Sequence, residues 1–321
     1  MLKIGILGAA DIAYNKFIPA IKKTDDAECV GIASKSAKKL QRFVDDFGIK
    51  VYDSYEAILA DPDINCVYIP LPPMYHYEWA KKALLAGKHT FLEKPSATDY
   101  EKAHELVTLA KSKGLVLQEN YMYLFHSQMD EVKKIISSGK LGKIRLLRAS
   151  FGFPRRPAGD FRYIKELGGG TMMDNGGYTI RIVSELLGDV SLVGASLDCN
   201  DESGVDIFGA ASFVNEEGTI AQVAFGMDCQ YQCSLELWGS LGRLTTNRIF
   251  TAPEGFEPVI LLETATGKEE IKLSGDDHFV KAIQAFSKAT MDKDYATAYA
   301  DNLDRQAKLV DEVIKRGMKK K

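Results

Sequence analysis

The stretch Phe91-Leu92-Glu93-Lys94-Pro95 closes a short apolar run that begins at Lys88. Such a run is typical of a buried strand, and the proline stops it because proline fixes φ and has no N–H. An acid and a base therefore stand at the carboxyl end of a strand, where open α/β sheets bind their ligands. Taken alone, Glu93 and Lys94 are better explained as solvated charges, because a three-residue motif often matches by chance.

The sequence around this stretch favours a ligand site. Strand-type and helix-type segments alternate from Met1 to about Tyr121, which predicts a doubly wound parallel sheet of the Rossmann type over residues 1–121. The predicted strands are 2–7, 28–33, 51–52, 66–69, 88–92 and 115–118. The predicted helices are 12–22, 37–47, 55–59, 77–86 and 100–113.

Residues 122–321 have a different pattern, and they predict a second, α+β domain that binds substrate and mediates dimerisation. Helices are expected at 126–137, 179–187, 278–290 and 303–316. Strands are expected at 144–151, 191–197, 205–214, 219–225, 233–238, 259–263 and 269–273. These strands predict an open, largely antiparallel sheet, so the fold class of the whole chain is α/β.

Composition excludes several classes of protein. The 321 residues are 45% hydrophobic and 26% charged, with a formal net charge of -3 and no basic stripe for nucleic acid. The three lysines at 319–321 are expected to be a frayed tail. No apolar run reaches the length of a membrane span. The five cysteines lack metal-ligand spacing, so we expect no metal and reduced thiols in a cytoplasmic protein.

The turn after the first predicted strand is a candidate pyrophosphate site. A G-x-G-x-x-G fingerprint would fall on Gly8, Ala10 and Ala13, and only its first glycine is present. A tight strand–helix turn explains the motif nearly as well, but the alternating pattern behind it favours a dinucleotide. The predicted cofactor contacts of this turn are Gly8, Ala9, Ala10, Asp11 and Ile12.

The end of the second predicted strand indicates which nicotinamide cofactor is preferred. An NAD site needs an acid there, whereas this chain has Ser34, Lys35 and Ser36. Hydroxyls and a cation suit the 2′-phosphate of NADP(H), so NADP(H) is predicted and NAD(H) stays possible. The alternative is a solvated helix start with Ser36 as the N-cap.

Two further segments extend the predicted cofactor site. Pro70 and Leu71 follow a buried strand, and His76 either lines the nicotinamide pocket or only begins the next helix. Asn120, at the end of the last predicted strand, is also assigned to the cofactor.

In the second half, five glycines lie between positions 168 and 177, at the entrance of a predicted helix. Glycines cost helix stability, but they are tolerated where backbone passes close to a ligand or to another element. Asp174 and Tyr178 are four residues apart and share one helical face.

These features together resemble the glucose–fructose oxidoreductase and inositol dehydrogenase family of nicotinamide-dependent enzymes. The resemblance covers essentially the whole chain and rests on Glu93-Lys94-Pro95, on the segment 168–178 and on the order of the two halves. It implies that Lys94 binds substrate and cofactor, that Glu93 positions it, and that Asp174 precedes an acid/base residue by four positions.

That acid/base residue is Tyr178 here, whereas many members have histidine. With tyrosine at this position, the chain resembles the branch that contains glucose–fructose oxidoreductase, dihydrodiol and xylose dehydrogenases, and nucleotide-sugar ketoreductases. Segments 7–13 and 150–163 are most similar to the ketoreductases.

The residue types agree with carbonyl reduction. Hydride transfer to a ketone leaves an alkoxide that needs a proton, and a free tyrosine, with a pKa of about 10, is a slow acid at neutral pH. An ammonium beside it lowers that pKa, so Lys94 is expected to assist Tyr178 as general acid, with Asp174 accepting from a substrate hydroxyl. The alternative is a core-facing tyrosine, with Asp174 interacting with N–H groups at the helix start. Arg162 and Tyr163 are the preferred further substrate contacts, whereas Arg155 and Arg156 are expected to be surface cations.

The leading prediction is an NADP(H)-dependent oxidoreductase for a sugar ketone or hydroxyl, with a nucleotide-linked deoxysugar as the favoured substrate. The alternatives are an aldose or trans-dihydrodiol dehydrogenase and, in another class, a non-catalytic sugar sensor. A homodimer through the sheet of the second half is expected, because one face of that sheet lacks helical cover in the sequence pattern.

Overall fold

The computed structural model describes residues 1–157, 159–199 and 202–318, so the lysines at 319–321 lie outside the described residues. The backbone divides into two compact units. The first comprises Met1–Asn120 and Phe279–Ala307, and the second comprises Tyr121–His278 and the residues from Lys308 on. Each is described by itself.

The first unit is built on a parallel sheet of five strands in the order β2-β1-β3-β4-β5. The strands are β1 (Leu2–Leu7), β2 (Ala27–Ala33), β3 (Cys66–Ile69), β4 (His89–Leu92) and β5 (Leu117–Glu119). The predicted strand at 51–52 is only an isolated bridge between Val51 and Ile32. Glu93 and Lys94 therefore follow the fourth strand of the chain and not the fifth.

The helices of this unit begin where capping side chains are available. A π-helical turn, Ala13–Phe17, leads into α1 (Ile18–Ile21), and α2 (Ala37–Phe47), α3 (Tyr55–Ala60), α4 (His76–Leu85) and α5 (Tyr100–Lys113) follow. Ser36, Ser54 and Asp99 accept main-chain N–H groups at the starts of α2, α3 and α5. A buried cluster joins strands to helices on one face of the sheet, and its members include Val67, Leu92, Leu117, Trp79 and Leu106.

The first unit includes a segment that the sequence assigned to the second domain. Helix α8 spans His278–Ala289 and helix α9 spans Lys293–Gly317, and residues 279–307 group with the first unit. The Phe286 ring lies 5.1 Å from that of Phe91, and Leu303 is part of the buried cluster. These helices bury apolar side chains on distant strands, which helical periodicity alone cannot indicate. Helix α9 also begins ten residues earlier than expected, after an N–H contact with Asp292.

The second unit contains an open sheet of eight strands in the order β13-β12-β11-β10-β6-β9-β8-β7. Only β6 and β9 pair in parallel, so the predicted largely antiparallel sheet is confirmed. The strands are β6 (Ile144–Gly152), β7 (Val190–Asp198), β8 (Phe208–Asn215), β9 (Ile220–Gly226), β10 (Gln232–Gly239), β11 (Gly242–Asn247), β12 (Val259–Thr264) and β13 (Gly267–Lys272). The sequence did not predict β11, which is polar at alternate positions and has only Leu244 as a large apolar residue.

The two faces of this sheet differ. On one face Phe151, Phe225 and Leu235 are buried, and the helical segment made of a π-turn (Met172–Gly176) and α7 (Gly177–Leu187) packs there. Helix α6 (Ser127–Ser137) belongs to the same unit. Trp238 and Ile220 on the other face are about half exposed, at 53% and 46%.

Candidate active site

The turn after β1 brings backbone close to the loop after β3. Gly8 has φ +120°, and a Cβ on it would lie 2.8 Å from Cδ2 of Leu71. Gly8 N donates to Ala33 O at 2.8 Å, which extends the ladder between β1 and β2. Glycine is needed here both for the positive φ and for the close approach, which explains why it is the one fingerprint glycine that the chain has.

Asp11 and Ile12 continue this turn, and Asp11 is paired with a cation from α2. Arg42 Nη2 lies 2.6 Å from Asp11 Oδ1, and the guanidinium lies 4.4 Å from the centre of the Tyr14 ring. A carboxylate in this turn would repel a pyrophosphate. The arginine offsets that charge, so Asp11 does not exclude an anionic ligand.

The segment after β2 carries hydroxyls and a cation on the strand's carboxyl end. Ser34 Oγ accepts from Ser36 N at 3.2 Å, and Ser36 Oγ accepts from Lys39 N at 3.4 Å. The N-cap role of Ser36 is thus present, and its O–H remains able to donate. Lys35 is exposed, with Nζ 5.9 Å from the centre of the Tyr75 ring.

His76 is buried at the start of α4, where it joins two loops. Its ring nitrogens lie 2.6 Å from Pro95 O and 2.6 Å from Leu71 O. Burial lowers the pKa of His76 to about 4 and outweighs the two carbonyl contacts, so the ring is neutral at pH 7 and donates through one nitrogen. His76 begins α4, and its ring lies between the carbonyls of Leu71 and Pro95. A place in the nicotinamide pocket stays a prediction.

Glu93 is buried beside Lys94 within a small polar network. Glu93 Oε1 accepts from Tyr68 Oη at 2.7 Å and from Asn120 Nδ2 at 2.8 Å. Burial raises the pKa of Glu93 against the effect of these donors and of Lys94. Lys94 is half-buried, and its peptide bond to Pro95 is cis. The network fixes the backbone from which the Lys94 side chain projects.

The residues at this edge of the sheet suit a nicotinamide dinucleotide. Asn120 is fully buried, and its Oδ1 has no hydrogen-bond partner among the described residues. An orphaned acceptor costs free energy unless a ligand supplies a donor, and a carboxamide N–H is such a donor. The Gly8 turn and the Ser34–Ser36 segment lie at the carboxyl ends of the neighbouring strands β1 and β2, where a pyrophosphate and a ribose phosphate bind in this topology.

In the second unit, the glycine-rich segment passes close to other backbone. A Cβ on Gly169 would lie 2.5 Å from Arg162 O, and a Cβ on Gly170, which has φ +117°, would overlap Oδ1 of Asp206. Asp206 binds the main-chain N–H groups at the start of this helix. Its Oδ2 accepts from Met172 N at 2.7 Å, and its main-chain O accepts from Thr171 N at 2.8 Å. The glycines are thus required by the packing of the helix entrance against Asp206 and Arg162.

Asp174 lies in the π-turn and is held by an arginine. Arg162 Nε donates to Asp174 Oδ2 at 2.7 Å, and Arg162 Nη1 donates to Asp160 Oδ1 at 3.1 Å. A guanidinium shared between two carboxylates is positioned by them. Arg162 therefore orients Asp174 in this structure, and its predicted contact with substrate stays a prediction. A π-turn at this point agrees with the frequent occurrence of such turns at functional sites.

Tyr178 lies in a cluster of aromatic rings. It is 5% exposed, and its ring centre lies 5.1 Å from Tyr121, 5.3 Å from Phe151 and 6.0 Å from Phe250. Its hydroxyl contacts Met122 Sδ at 3.4 Å. The ring is thus part of the core of the second unit, as the alternative interpretation of a core-facing tyrosine predicts. The packing gives the hydroxyl a defined position.

Tyr163 is a structural member of the loop before the glycines. Its hydroxyl donates to Met227 O at 3.0 Å and accepts from Arg156 N at 3.0 Å. Arg155 and Arg156 are exposed and stack on the rings of Tyr163 and Phe153, which agrees with their expected place at the surface. Among the described residues, no group of three or more His, Cys, Asp or Glu side chains could hold a metal ion.

Two family models match the two halves. Residues 2–121 match the oxidoreductase family with an NAD-binding Rossmann fold, and residues 129–245 match the GFO/IDH/MocA C-terminal domain. The chain belongs to the GFO/IDH/MocA oxidoreductase family. The predicted fold and the predicted enzyme class are both confirmed by this membership.

Relatives of this GFO/IDH/MocA oxidoreductase include enzymes of known activity. It is 38% identical to dTDP-3,4-didehydro-2,6-dideoxy-alpha-D-glucose 3-reductase of Actinomadura kijaniata, over 97% of the chain and 94% of that protein. It is 30% identical to D-xylose 1-dehydrogenase (NADP(+)) 2 of Haloferax volcanii, over 90% of the chain and 89% of that protein.

A solved structure of KijD10, a 3-ketoreductase from Actinomadura kijaniata in complex with NADP and TDP-benzene, superposes with a TM-score of 0.94 at 38% identity. The superposition covers 98% of this chain and 97% of that one. KijD10 has also been solved with a tyrosine changed to phenylalanine and with a lysine changed to alanine.

Three further residues shape the site in this family member, and the sequence analysis does not single them out. Tyr68 supports Glu93, Asp160 holds Arg162, and Asp206 receives the helix start of Asp174 and Tyr178. The distance along the chain between Asp206 and Met172 leaves no local signal. Asp160 had one: an aspartate two residues before Arg162 is typical of a short capped turn, and Asp160 Oδ1 does accept from Arg162 N.

Proposed function

We propose that this oxidoreductase uses NADPH to reduce a ketone of a dTDP-linked deoxysugar. The observation that carries the proposal is the 38% identity, over nearly the whole of both chains, to a dTDP-sugar 3-reductase. The lysine and tyrosine altered in the KijD10 variants are separated by the same number of residues as Lys94 and Tyr178, which supports their equivalence.

In the proposed mechanism the chain's own residues bind, orient and protonate the substrate. The nicotinamide supplies the hydride when bound. Lys94 binds the carbonyl oxygen and carries a positive charge toward the developing alkoxide. Tyr178 donates its phenolic proton to that oxygen. Asp174, oriented by Arg162, accepts a hydrogen bond from a substrate hydroxyl.

The cofactor contacts are assigned in the same way. Gly8, Ala9, Ala10, Asp11 and Ile12 face the pyrophosphate, and Ser34, Lys35 and Ser36 take the 2′-phosphate. Glu93 and Asn120 hold the Lys94 loop, and Asn120 also accepts from the nicotinamide carboxamide. His76 positions Pro70 and Leu71. NADP in the KijD10 complex supports this preference.

The test measures kcat/KM with NADPH and NADH, using a dTDP-linked 3-keto sugar, xylose and glucose as substrates. Turnover of the nucleotide sugar with NADPH, at least tenfold above NADH, is expected. Turnover of free aldoses without response to nucleotide sugars would favour the aldose dehydrogenase alternative, which the Haloferax volcanii relative supports. If neither the nucleotide sugar nor the free aldoses are turned over with either cofactor, the result would favour a non-catalytic sensor.

We also propose a homodimer through the exposed face of the second-unit sheet and a cytoplasmic location. A row of side chains on that face pairs across four strands: Trp238 with Leu146, Leu146 with Ile220, and Ile220 with Val214. All five cysteines are free thiols, which supports a reducing compartment. No described helix is long and apolar enough to cross a membrane.

A further inference from the structure

Arg248 has a backbone conformation that an arginine rarely adopts. Its φ is +53°, and it is the only non-glycine residue with positive φ among those that the structure describes. L-residues other than glycine, asparagine and aspartate meet steric strain in this region. Strain of this kind persists only where the surrounding structure imposes it, and it occurs preferentially at ligand-binding sites.

The Arg248 side chain is held by aromatic rings and not by a carboxylate. Its guanidinium lies 5.1 Å from the centre of the Tyr231 ring and 5.7 Å from that of Phe256. No carboxylate of the described residues forms an ion pair with it. By contrast, Arg162, Arg181 and Arg243 of the same unit each bind at least one carboxylate. Arg248 is thus oriented while its N–H donors stay available for an anion.

The backbone is held on both sides of Arg248, since Asn247 pairs with Ser234 in the sheet and the residues after Arg248 contact side chains. Phe250 N donates to Cys233 Sγ at 3.4 Å, and the hydroxyls of Tyr231 and Thr251 are 3.1 Å apart. Ile249 and Phe250 are buried. The arginine therefore projects from a rigid segment, and a rigid donor loses little conformational entropy when it binds a ligand.

The same segment joins Arg248 to the cluster around Tyr178. Phe250, two residues after Arg248, packs its ring 6.0 Å from the ring of Tyr178 and 5.4 Å from that of Phe151. Two residues span at most about 7 Å of chain. Arg248 consequently lies at the border of the aromatic cluster that positions the proposed acid.

We infer that Arg248 is the anchor for the diphosphate of the nucleotide-linked substrate. The inference rests on the proposed function, since a free aldose has no phosphate for it to bind. A planar guanidinium with free N–H groups matches two phosphate oxygens, and its charge complements the diphosphate. The distance between the diphosphate and the reacting carbon of a sugar calls for an anchor near Tyr178 but not in contact with it. Arg248 is the candidate because it is two residues from Phe250 of the Tyr178 cluster, whereas the guanidinium of Arg162 is taken by Asp160 and Asp174.

The experiment measures dTDP binding to the NADPH-loaded protein by calorimetry, for the wild type and three variants. Arg248→Gly removes the guanidinium and relieves the backbone strain, and Arg248→Met keeps an apolar chain over the rings but no charge. Arg145→Ala is the matched control, because Arg145 is an exposed arginine of β6 in the same unit. We expect the Kd for dTDP to rise at least tenfold in both Arg248 variants and less than twofold in Arg145→Ala. The Kd for NADPH should not change in any of them, and the Tm of Arg248→Gly should equal or exceed that of the wild type.

The possible results distinguish failure of the Arg248 assignment from failure of the proposed function. If wild-type protein binds dTDP and reduces the nucleotide sugar while both Arg248 variants bind dTDP within twofold of it, the anchor assignment is overturned and the proposed function stands. A Tm of Arg248→Gly well below that of the wild type, with dTDP affinity unchanged, would show that Arg248 only joins the loop of Phe256 to β10. If the wild type neither binds dTDP nor reduces the nucleotide sugar, the proposed function fails and the anchor fails with it.

Discussion

The Tyr178 hydroxyl is the residue-scale feature on which the proposed chemistry depends. Tyr178→Phe removes one oxygen from a ring that the surrounding aromatic side chains hold in place. We expect kcat to fall about 10²- to 10⁴-fold, the range for loss of a general acid. The Kd for NADPH and the fold, measured by calorimetry and circular dichroism, should be unchanged.

Tyr123→Phe is the matched control, because Tyr123 is a buried tyrosine of the same cluster whose hydroxyl donates to Tyr178 O at 3.3 Å. It should retain kcat within a few-fold. Equal losses in the two variants would mean that packing of the cluster, and not proton donation by Tyr178, limits turnover. Lys94→Ala should lower kcat by a comparable factor, and near-wild-type turnover in it would refute the role of Lys94.

Asp206 gives a prediction about pH. Burial raises its pKa to about 6, although the hydrogen bond from Met172 N acts in the opposite direction. The folded protein therefore binds more protons at Asp206 than the unfolded chain between about pH 4 and pH 6, and the contribution of this group to stability falls as pH rises through that window.

Asp206→Asn keeps an acceptor for Met172 N but does not ionise. Its free energy of unfolding relative to wild type should increase by about 2–3 kcal/mol between pH 4 and pH 7 and stay constant above pH 7. Urea titrations of both proteins at four pH values test this. A difference that is independent of pH would show that Asp206 has an ordinary pKa in the folded protein.

At the scale of elements, the helix entrance at 168–178 is shaped by its contacts with the loop before it and with Asp206. Gly170→Ala should destabilise the protein by about 2–3 kcal/mol, because the residue has φ +117° and its Cβ would overlap the Asp206 carboxylate. Gly194→Ala in β7 is the control, since a Cβ there meets nothing within 4 Å and φ is not in the positive range. Thermal unfolding of the two variants measures the difference. A Gly170→Ala protein as stable as Gly194→Ala would contradict the required close approach.

Elements also differ in how far the sequence predicts them. The starts of α2, α3 and α5 have an Asp or Ser cap at the position that local sequence favours. Strand β11 was missed because its register is set by pairing with β10 and β12, which local propensity does not encode. The turn Met172–Gly176 is a π-helix because its main chain must meet both Asp206 and the sheet, and this requirement comes from residues far along the chain.

At the scale of the whole molecule, the exposed face of the eight-stranded sheet predicts self-association. Trp238, Ile220 and Phe208 are 53%, 46% and 42% exposed on one sheet, and apolar side chains of this size on one face mark interfaces. Trp238→Glu should convert the proposed dimer to a monomer in sedimentation velocity at micromolar protein, whereas Leu85→Glu, at an exposed site of α4, should not change the sedimentation coefficient. A wild-type monomer under these conditions would contradict the interface.

The sequence alone predicts the parallel sheet of the first half and the largely antiparallel sheet of the second, and it indicates Lys94 and Tyr178 as candidate site residues. Periodicity, caps and strand ends are local properties, so they can be recognised without coordinates. The partners of three further candidate side chains come from the folded structure: Asp160 and Asp174 accept from Arg162, two main-chain carbonyls lie against His76, and Met227 O accepts from Tyr163. It also decided that Phe279–Ala307 belongs with the first unit, because these helices bury their apolar side chains on strands nearly 200 residues earlier in the chain. Glu93-Lys94-Pro95 shows both contributions: its strand end is local, whereas the buried network of Tyr68, Glu93 and Asn120 that holds it requires three strands to be brought together.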